Sequence, residues 1–407
     1  MGNLVFMQAR TPHAFAHHSG IWYDFAMTET LSLPIWPLLA AAFSFLLIWA
    51  MGALITTEQR HLPALSLLLA VVGYAATGFA LHFGGIGILI DHPDVAALVW
   101  EWTPLRHGNL AHWGVAGWMG FGLNQAQTPV AALLFITALP LVSVTALLSL
   151  RSLEPHLSLR ARLIFALLMT AILAPLAGNW TQAGGWLMHL GQSLGAGDGY
   201  LDFGGASFFL LAGGVALAAL LTGRKNLSPT PEPDTIAGIG ALMAGGIGWI
   251  LASPLHLWAG SSPSIGAMNS LLALAAGGLI GLVYGLVGPL SLRWFSRSAA
   301  AGWIAALAPL PWMNPWQAML TGAIAAWIYI LAAWGLRARG RHDAGDSFAA
   351  FGLPALWGLL AVGFFAPMPG QFKAQLFGIA TLFLLSFLFA SLFLLLGQIR
   401  STATSGN

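Results

Sequence analysis

The chain has 407 residues, of which 58% are apolar and only 7% charged, with a mean hydropathy of +0.79. Soluble domains carry roughly a quarter charged residues, so a water-soluble globular protein is excluded. The absence of cysteine excludes disulfides, thiolate metal sites and thiol nucleophiles, and a net charge of only +2 assigns the pI near 9.2 to arginines in short loops rather than to a nucleic-acid surface.

Taken in order, residues 1–32 are of mixed polarity, too broken for a span or a signal peptide, and are placed outside the membrane. His13, His17 and His18 form a weak metal-ligating pattern there; Asp24 is the one nearby carboxylate, and no metal is assigned. Apolar runs then predict an all-α polytopic membrane protein of eleven transmembrane helices: 34–56, 62–90, 129–150, 160–177, 203–222, 237–258, 266–290, 300–313, 315–336, 348–366 and 374–398. The second is unusually long and the eighth short. Residues 399–407 form a short cytoplasmic tail.

Basic residues orient these spans. Arg60, Arg151, Arg160, Arg162, Arg224, Lys225, Arg293, Arg297, Arg337, Arg339, Arg341 and Arg400 fall in alternate loops and the C-terminus, against Arg10, Arg106 and Lys373 on the other side. Cytoplasmic loops hold most of the Lys and Arg, so the N-terminus is outside and the C-terminus inside. The outer segments 93–128 and 178–202, rich in Trp, Gly and His, are expected to form an ordered aromatic cap at the interface.

The fifth span is marked most clearly. Asp202 stands before twenty uncharged residues, Phe203 to Thr222, where its carboxylate can cap the helix start. The small residues from Gly204 to Ala219 invite close helix contacts. The DFGGASF stretch from Asp202 is echoed five spans later by the DSFAAFG stretch from Asp346, which opens the tenth span from the opposite side. This is the pattern of inverted repeats, about 33–222 and 237–366, followed by a last helix at 374–398.

These residues resemble the ammonium transporter/Rhesus (Amt/Rh) family across most of the chain, residues 33–398. LDFGGASFFL at 201–210 is similar to the family's LDFAGGTVVH opening of the fifth helix, and DSFAAFGLPALWG at 346–358 to its tenth. GYAATGFALHFGG closing span two, Glu154 followed after twenty residues by Pro175, and Asn269 within NSLLALAAGGLIGLVYG add to the likeness. The resemblance implies an eleven-span, N-out protomer of inverted halves, a homotrimer, an ammonium-like or small neutral solute, no enzyme activity and no cofactor. Asp202, Asp346, Glu154 and Asn269 are then structural.

The departures bear on function. The family's two facing pore histidines fall on Leu210 and Phe351, and its phenylalanine gate falls near Pro140, with Phe135 close by, and on Ala252. Trp180 lies within one residue of the tryptophan that helps recruit the cation, and His256 falls where the family has a serine. Imidazoles both donate and accept protons near neutrality; Leu and Phe do neither. Ordinary ammonium transport is therefore expected to be weak or absent, with ammonia or another neutral gas as the solute.

The Trp side chains 100, 102, 180 and 186 fit interface anchoring as well as a cation-π cage. His82, His107, His112, His189 and His256 fit either scattered satisfied positions or one outer vestibule. An alternative is a transport-inactive accessory subunit of a larger membrane complex. A sensor is disfavoured because only GQIRSTATSGN follows the last span. A prokaryotic inner membrane is the expected location, with lipid as the surrounding partner and no nucleic acid.

Overall fold

The computed structural model describes residues 35–55, 60–84, 98, 101–102, 113–124, 126–222, 235–253, 262–287 and 291–405. Among them, nine helices are long and apolar enough to cross a membrane: α1 (Pro37–Leu54), α2 (Leu62–Phe83), α3 (Pro129–Leu153), α4 (Leu159–Gln182), α6 (Thr235–Ala252), α7 (Pro263–Val287), α9 (Pro315–Ala338), α10 (Ala344–Phe365) and α11, whose apolar part is Gln371–Gly397. Two shorter helices lie between them in chain order, α5 (Ala206–Thr222), itself apolar, and α8 (Leu292–Leu307). The expected tail is mostly helical, since α11 runs on to Ser405. Residues 1–32 and the ends of predicted spans two, six and seven at 85–90, 254–258 and 288–290 lie outside the described residues.

Two helices owe their path to prolines and hydroxyls. Pro175 of α4 has no N–H to give Ala171, and inside a membrane a stranded carbonyl must find another donor. Thr77 of α2 supplies it, its Oγ donating to the Ala171 carbonyl at 2.8 Å. Each helix opens into a π-turn at this contact, Tyr74–Gly78 in α2 and Met169–Leu173 in α4. Thr170 returns the link by donating to the Leu69 carbonyl at 3.1 Å.

α5 is the central helix, packed against α3, α10 and α11. It starts at Ala206, later than the predicted 203, because Asp202 caps it. Its Oδ1 accepts from the N–H groups of Gly205 and Ala206, and its Oδ2 from Ser207 at 2.7 Å. Gly205 turns the chain there with φ of +81°, a conformation that favours glycine. Where α5 meets α10 a Cβ on Gly213 would lie 2.7 Å from Gly352 Cα, and one on Gly352 2.6 Å from Gly213 Cα. The two backbones touch there.

The start of α10 corrects the sequence reading twice. The likeness of the Asp346 stretch to the Asp202 stretch implies that Asp346 caps this helix as Asp202 caps α5, but Asp343 does so, its Oδ2 accepting from Phe348 and Ala349 N–H at 3.0 and 2.8 Å. Asp346, held at φ of +54°, instead gathers charged and polar groups. Arg293 donates to both of its oxygens through Nε and Nη2, Arg297 Nη1 pairs with Oδ2, and Tyr329 donates to Oδ2 at 3.0 Å. Arg297 also donates Nε to the Leu54 carbonyl at 3.1 Å.

Here lies the second correction: the eighth helix, predicted at 300–313, occupies Leu292–Leu307. Arg293 and Arg297 looked like loop residues because a lone arginine is costly at that depth. With a buried carboxylate between them, the helix can include both.

Removing one member of a buried ion cluster strands the others, at about 3–5 kcal/mol. The Asp346→Ala variant should therefore melt much lower than the wild type in detergent, or fail to fold, because fully buried Arg297 would keep its charge without its carboxylate. Burial, reinforced by the Asp346 charge, pushes the Asp343 carboxyl up to about 7 against the pull of its two N–H donors. An unfolded Asp titrates near ~3.9, so this group's contribution to stability is complete below that pH and is lost as pH rises through about 7. Asp343→Asn keeps an acceptor for the cap and should flatten that part of the pH dependence of the melting temperature, with its largest gain over wild type above pH ~7; parallel melting curves from pH 5 to 8 would show the carboxyl does not titrate there. Gly213→Ala should cost about 1–3 kcal/mol by overpacking against Gly352, read as a lower melting temperature.

Candidate functional site: the crossing of α5 and α10

The centre of the protein is set by the Gly213–Gly352 contact. Leu210, one turn before Gly213, and Phe351, next to Gly352 in the π-turn Ser347–Gly352, are both 0% exposed. They belong to one apolar core that includes large aromatic side chains. Phe209 meets Trp303 of α8 edge-on, with centroids 6.1 Å apart, and Trp303 is itself 1% exposed. The Trp303 ring rests against Gly246 of α6, where a Cβ would lie 2.6 Å from Nε1, and Nε1 has no hydrogen-bond partner among the described residues. Trp249 of α6 donates its Nε1 to the Gly204 carbonyl at 2.9 Å.

The candidate gate residues lie in separate clusters. Phe135 packs against Tyr74 and Phe79 of α2, with centroids 5.6 and 6.1 Å away. Ala252 belongs to a small group with Ala40, Ala41, Leu133 and Ile136. Ala252 has no ring, so no pair of stacked phenyls forms between these two positions.

At the end of α5 that carries Asp202, aromatic side chains pack in a series. Trp113 stacks on Trp186 at 5.0 Å, Trp180 stands edge-on to Trp186 at 5.7 Å, and Trp186 meets Phe377 of α11. Trp180 donates Nε1 to the Val115 carbonyl at 2.6 Å, so its indole holds the loop as well as forming part of this series. Beside it, Thr181, Met188, Tyr200, Asp202 and Trp312 line a cavity of about 10 Å³, near the size one water needs. Burial raises the Asp202 carboxyl from its ordinary value, while Ser207, Ala206 and Gly205 pull it down through hydrogen bonds.

Of the histidines considered together, His82 is buried inside the protein. Its Nδ1 lies 2.7 Å from the Tyr74 hydroxyl and its ring stacks on Phe83 at 3.9 Å. His189 precedes the short helix Leu190–Leu194. His13, His17, His18, His107, His112, His256 and Trp100 lie outside the described residues, and Trp102 falls in a two-residue strand paired with Ala116–Gly117. Among the described residues no group of three or more His, Asp or Glu is placed to hold a metal ion. Asn269 donates Nδ2 to the Met313 carbonyl at 2.7 Å, and Glu154 pairs with Arg151.

Sequence reasoning missed Asp343 and Trp303. Asp343 stands three residues ahead of Asp346 in HDAGD, a signal that the family-like motif starting at Asp346 obscured. Trp303, the one aromatic within SAAAGWIAALA, gave a signal as the bulky group in a run of small ones.

The sequence profile of the Ammonium Transporter Family matches residues 61–401. Ammonium transporter Amt2 of Archaeoglobus fulgidus is 28% identical over 63% of this chain, and the match spans 58% of that protein's length. The ammonium transporter of Aquifex aeolicus is 26% identical over 76% of this chain and 77% of its own. Among solved structures, Mep2 of Candida albicans shares the fold with a TM-score of 0.71 at 19% identity, over 89% of this chain and 83% of that one. A structure titled Sensor Amt Protein does so with a TM-score of 0.71 at 18% identity, over 89% and 91%. The Archaeoglobus fulgidus and Aquifex aeolicus relatives are both named as ammonium transporters. With its profile match covering most of the chain, this integral membrane protein belongs to the Ammonium Transporter Family.

Proposed function

We propose that this Amt-type protein is an eleven-span channel, N-terminus out and C-terminus in, that passes ammonia or another small neutral molecule and transports the ammonium ion weakly or not at all. α5 and α8 supply the two crossings beyond the nine long ones, and the twelve-to-three asymmetry of Lys and Arg supports the orientation. Likeness to ammonium transporters supports the solute class. A homotrimer in a prokaryotic inner membrane is the expected setting.

The observation that carries the reading is the complete burial of Leu210 and Phe351 beside the α5–α10 crossing. A cation at mid-bilayer costs at least about 2.5 kcal/mol unless polar groups replace its water. Leucine and phenylalanine replace none of it. A neutral molecule escapes most of that cost, and an oily passage then requires only transient side-chain motion. The close filling by Phe209, Trp303 and Phe351, each no more than 1% exposed, favours the second reading, a transport-inactive subunit of a larger membrane complex.

In proteoliposomes, ammonia-driven internal alkalinisation should exceed that of empty vesicles, while methylammonium currents should fall roughly tenfold or more below those of a histidine-bearing relative. Comparable currents would overturn the proposal. Alkalinisation no faster than in empty vesicles, with other membrane chains copurifying, would favour the accessory subunit. The double variant Leu210→His/Phe351→His should raise the ammonium response if proton-sharing groups are what the passage lacks.

A further inference from the structure

The turn between α3 and α4 gathers three arginines around one carboxylate. Arg151 closes α3, and Arg160 and Arg162 lie in the first turn of α4, with Glu154 between them. Glu154 Oε2 pairs with Arg151 Nη1. Its other oxygen lies 3.9 Å from Arg162 Nη1, beyond hydrogen-bonding reach.

Arg162 is only 5% exposed, yet neither its Nε nor its Nη1 has a hydrogen-bond partner among the described residues. Arg151 Nε is unpartnered as well. Buried guanidinium N–H groups without hydrogen-bond acceptors are costly, and the Glu154 carboxylate at 3.9 Å offsets only part of that cost.

Its location adds to that cost. The N-terminal end of a helix carries partial positive charge, so cations are unfavourable in its first turn, and α4 places two arginines there. The Ser158 hydroxyl accepts from Ala161 N–H and the Ser158 carbonyl from Arg162 N–H. The N–H groups of Leu159 and Arg160 are of the kind that a helix start leaves without an intrahelical acceptor. An oxyanion at this turn would meet backbone donors, a buried fork and a second arginine together.

The surroundings show what could reach it. One turn after Arg162, Phe165 packs between Phe389 and Phe393 of α11, each 5.3 Å away, and Leu157 lies against Gly397. Leu392, Leu395 and Leu396 on α11 are more than half exposed, as is Ile164 on α4. Arginines at a helix end, beside exposed apolar side chains, suit an anionic headgroup.

We propose that Arg151, Arg162 and the first turn of α4 bind a phosphoryl oxyanion, carried by an anionic phospholipid or free in solution. The guanidinium fork of Arg162 takes two of its oxygens, Arg151 Nε a third, and the bound charge offsets the helix end.

The test is the melting temperature of the full chain in neutral detergent. Phosphatidylglycerol is compared with phosphatidylcholine at equal mole fraction, and sodium phosphate with sodium chloride at equal ionic strength. Wild type should melt about 3 °C higher or more with at least one phosphoryl ligand. A rise with phosphatidylglycerol alone identifies lipid as the source, and a rise with inorganic phosphate identifies the free anion. Arg162→Gln should lose at least half of the rise and Arg162→Lys part of it, whereas Arg339→Gln, an exposed arginine on another turn, should keep it. If Arg162→Gln does not fold, Arg151→Gln replaces it with the same expectation. No rise with either ligand, or a rise equal in wild type, Arg162→Gln and Arg151→Gln, overturns the proposal.

Discussion

A backbone polar group at membrane depth has no water to turn to, and this constraint explains why α5 and α10 begin as they do. Each starts with a buried carboxylate that takes over free N–H groups, Asp202 for α5 and Asp343 for α10. With their starts fixed, the helices can approach until glycine meets glycine at 213 and 352. That approach leaves Leu210 and Phe351 on either side of the contact, and no water-sized space opens at either residue.

A second electrostatic requirement acts at the base of α10. Asp346 is buried among Arg293, Arg297 and Tyr329, and the cluster ties α8, α9 and the start of α10 together. Arg297 reaches further, to the carbonyl of Leu54 at the end of α1. One carboxylate thus organises four helices, and the same charge makes ionisation of neighbouring Asp343 harder.

Most of the spans were legible in the sequence because hydropathy alone marks a span, whereas the π-turns in α2 and α4 and the Gly213–Gly352 contact shape their paths without changing their number. What was not legible depended on pairing. The start of α8 was misplaced because two arginines look like loop residues until a buried acid is known to sit between them. The cap was placed on Asp346 rather than Asp343 because the DSF-type motif begins at 346, while two consecutive residues at positive φ, Gly345 and Asp346, decide which carboxylate faces the helix end. At the candidate site, the motif spacing gave positions 210 and 351, but the packing of Trp303 from α8 against Phe209 and Gly246 has no linear signature.

Gly178 lies where the imidazole of His82 needs space, and any side chain there would collide with the ring. The two positions therefore form one unit of choice across α2 and α4: a relative with alanine or larger at 178 must carry something slimmer than histidine at 82, and a histidine at 82 commits its chain to glycine at 178. Read across a set of homologous sequences, the pair should change together, and the Tyr74 hydroxyl, which the imidazole now holds, should lose its partner whenever they do.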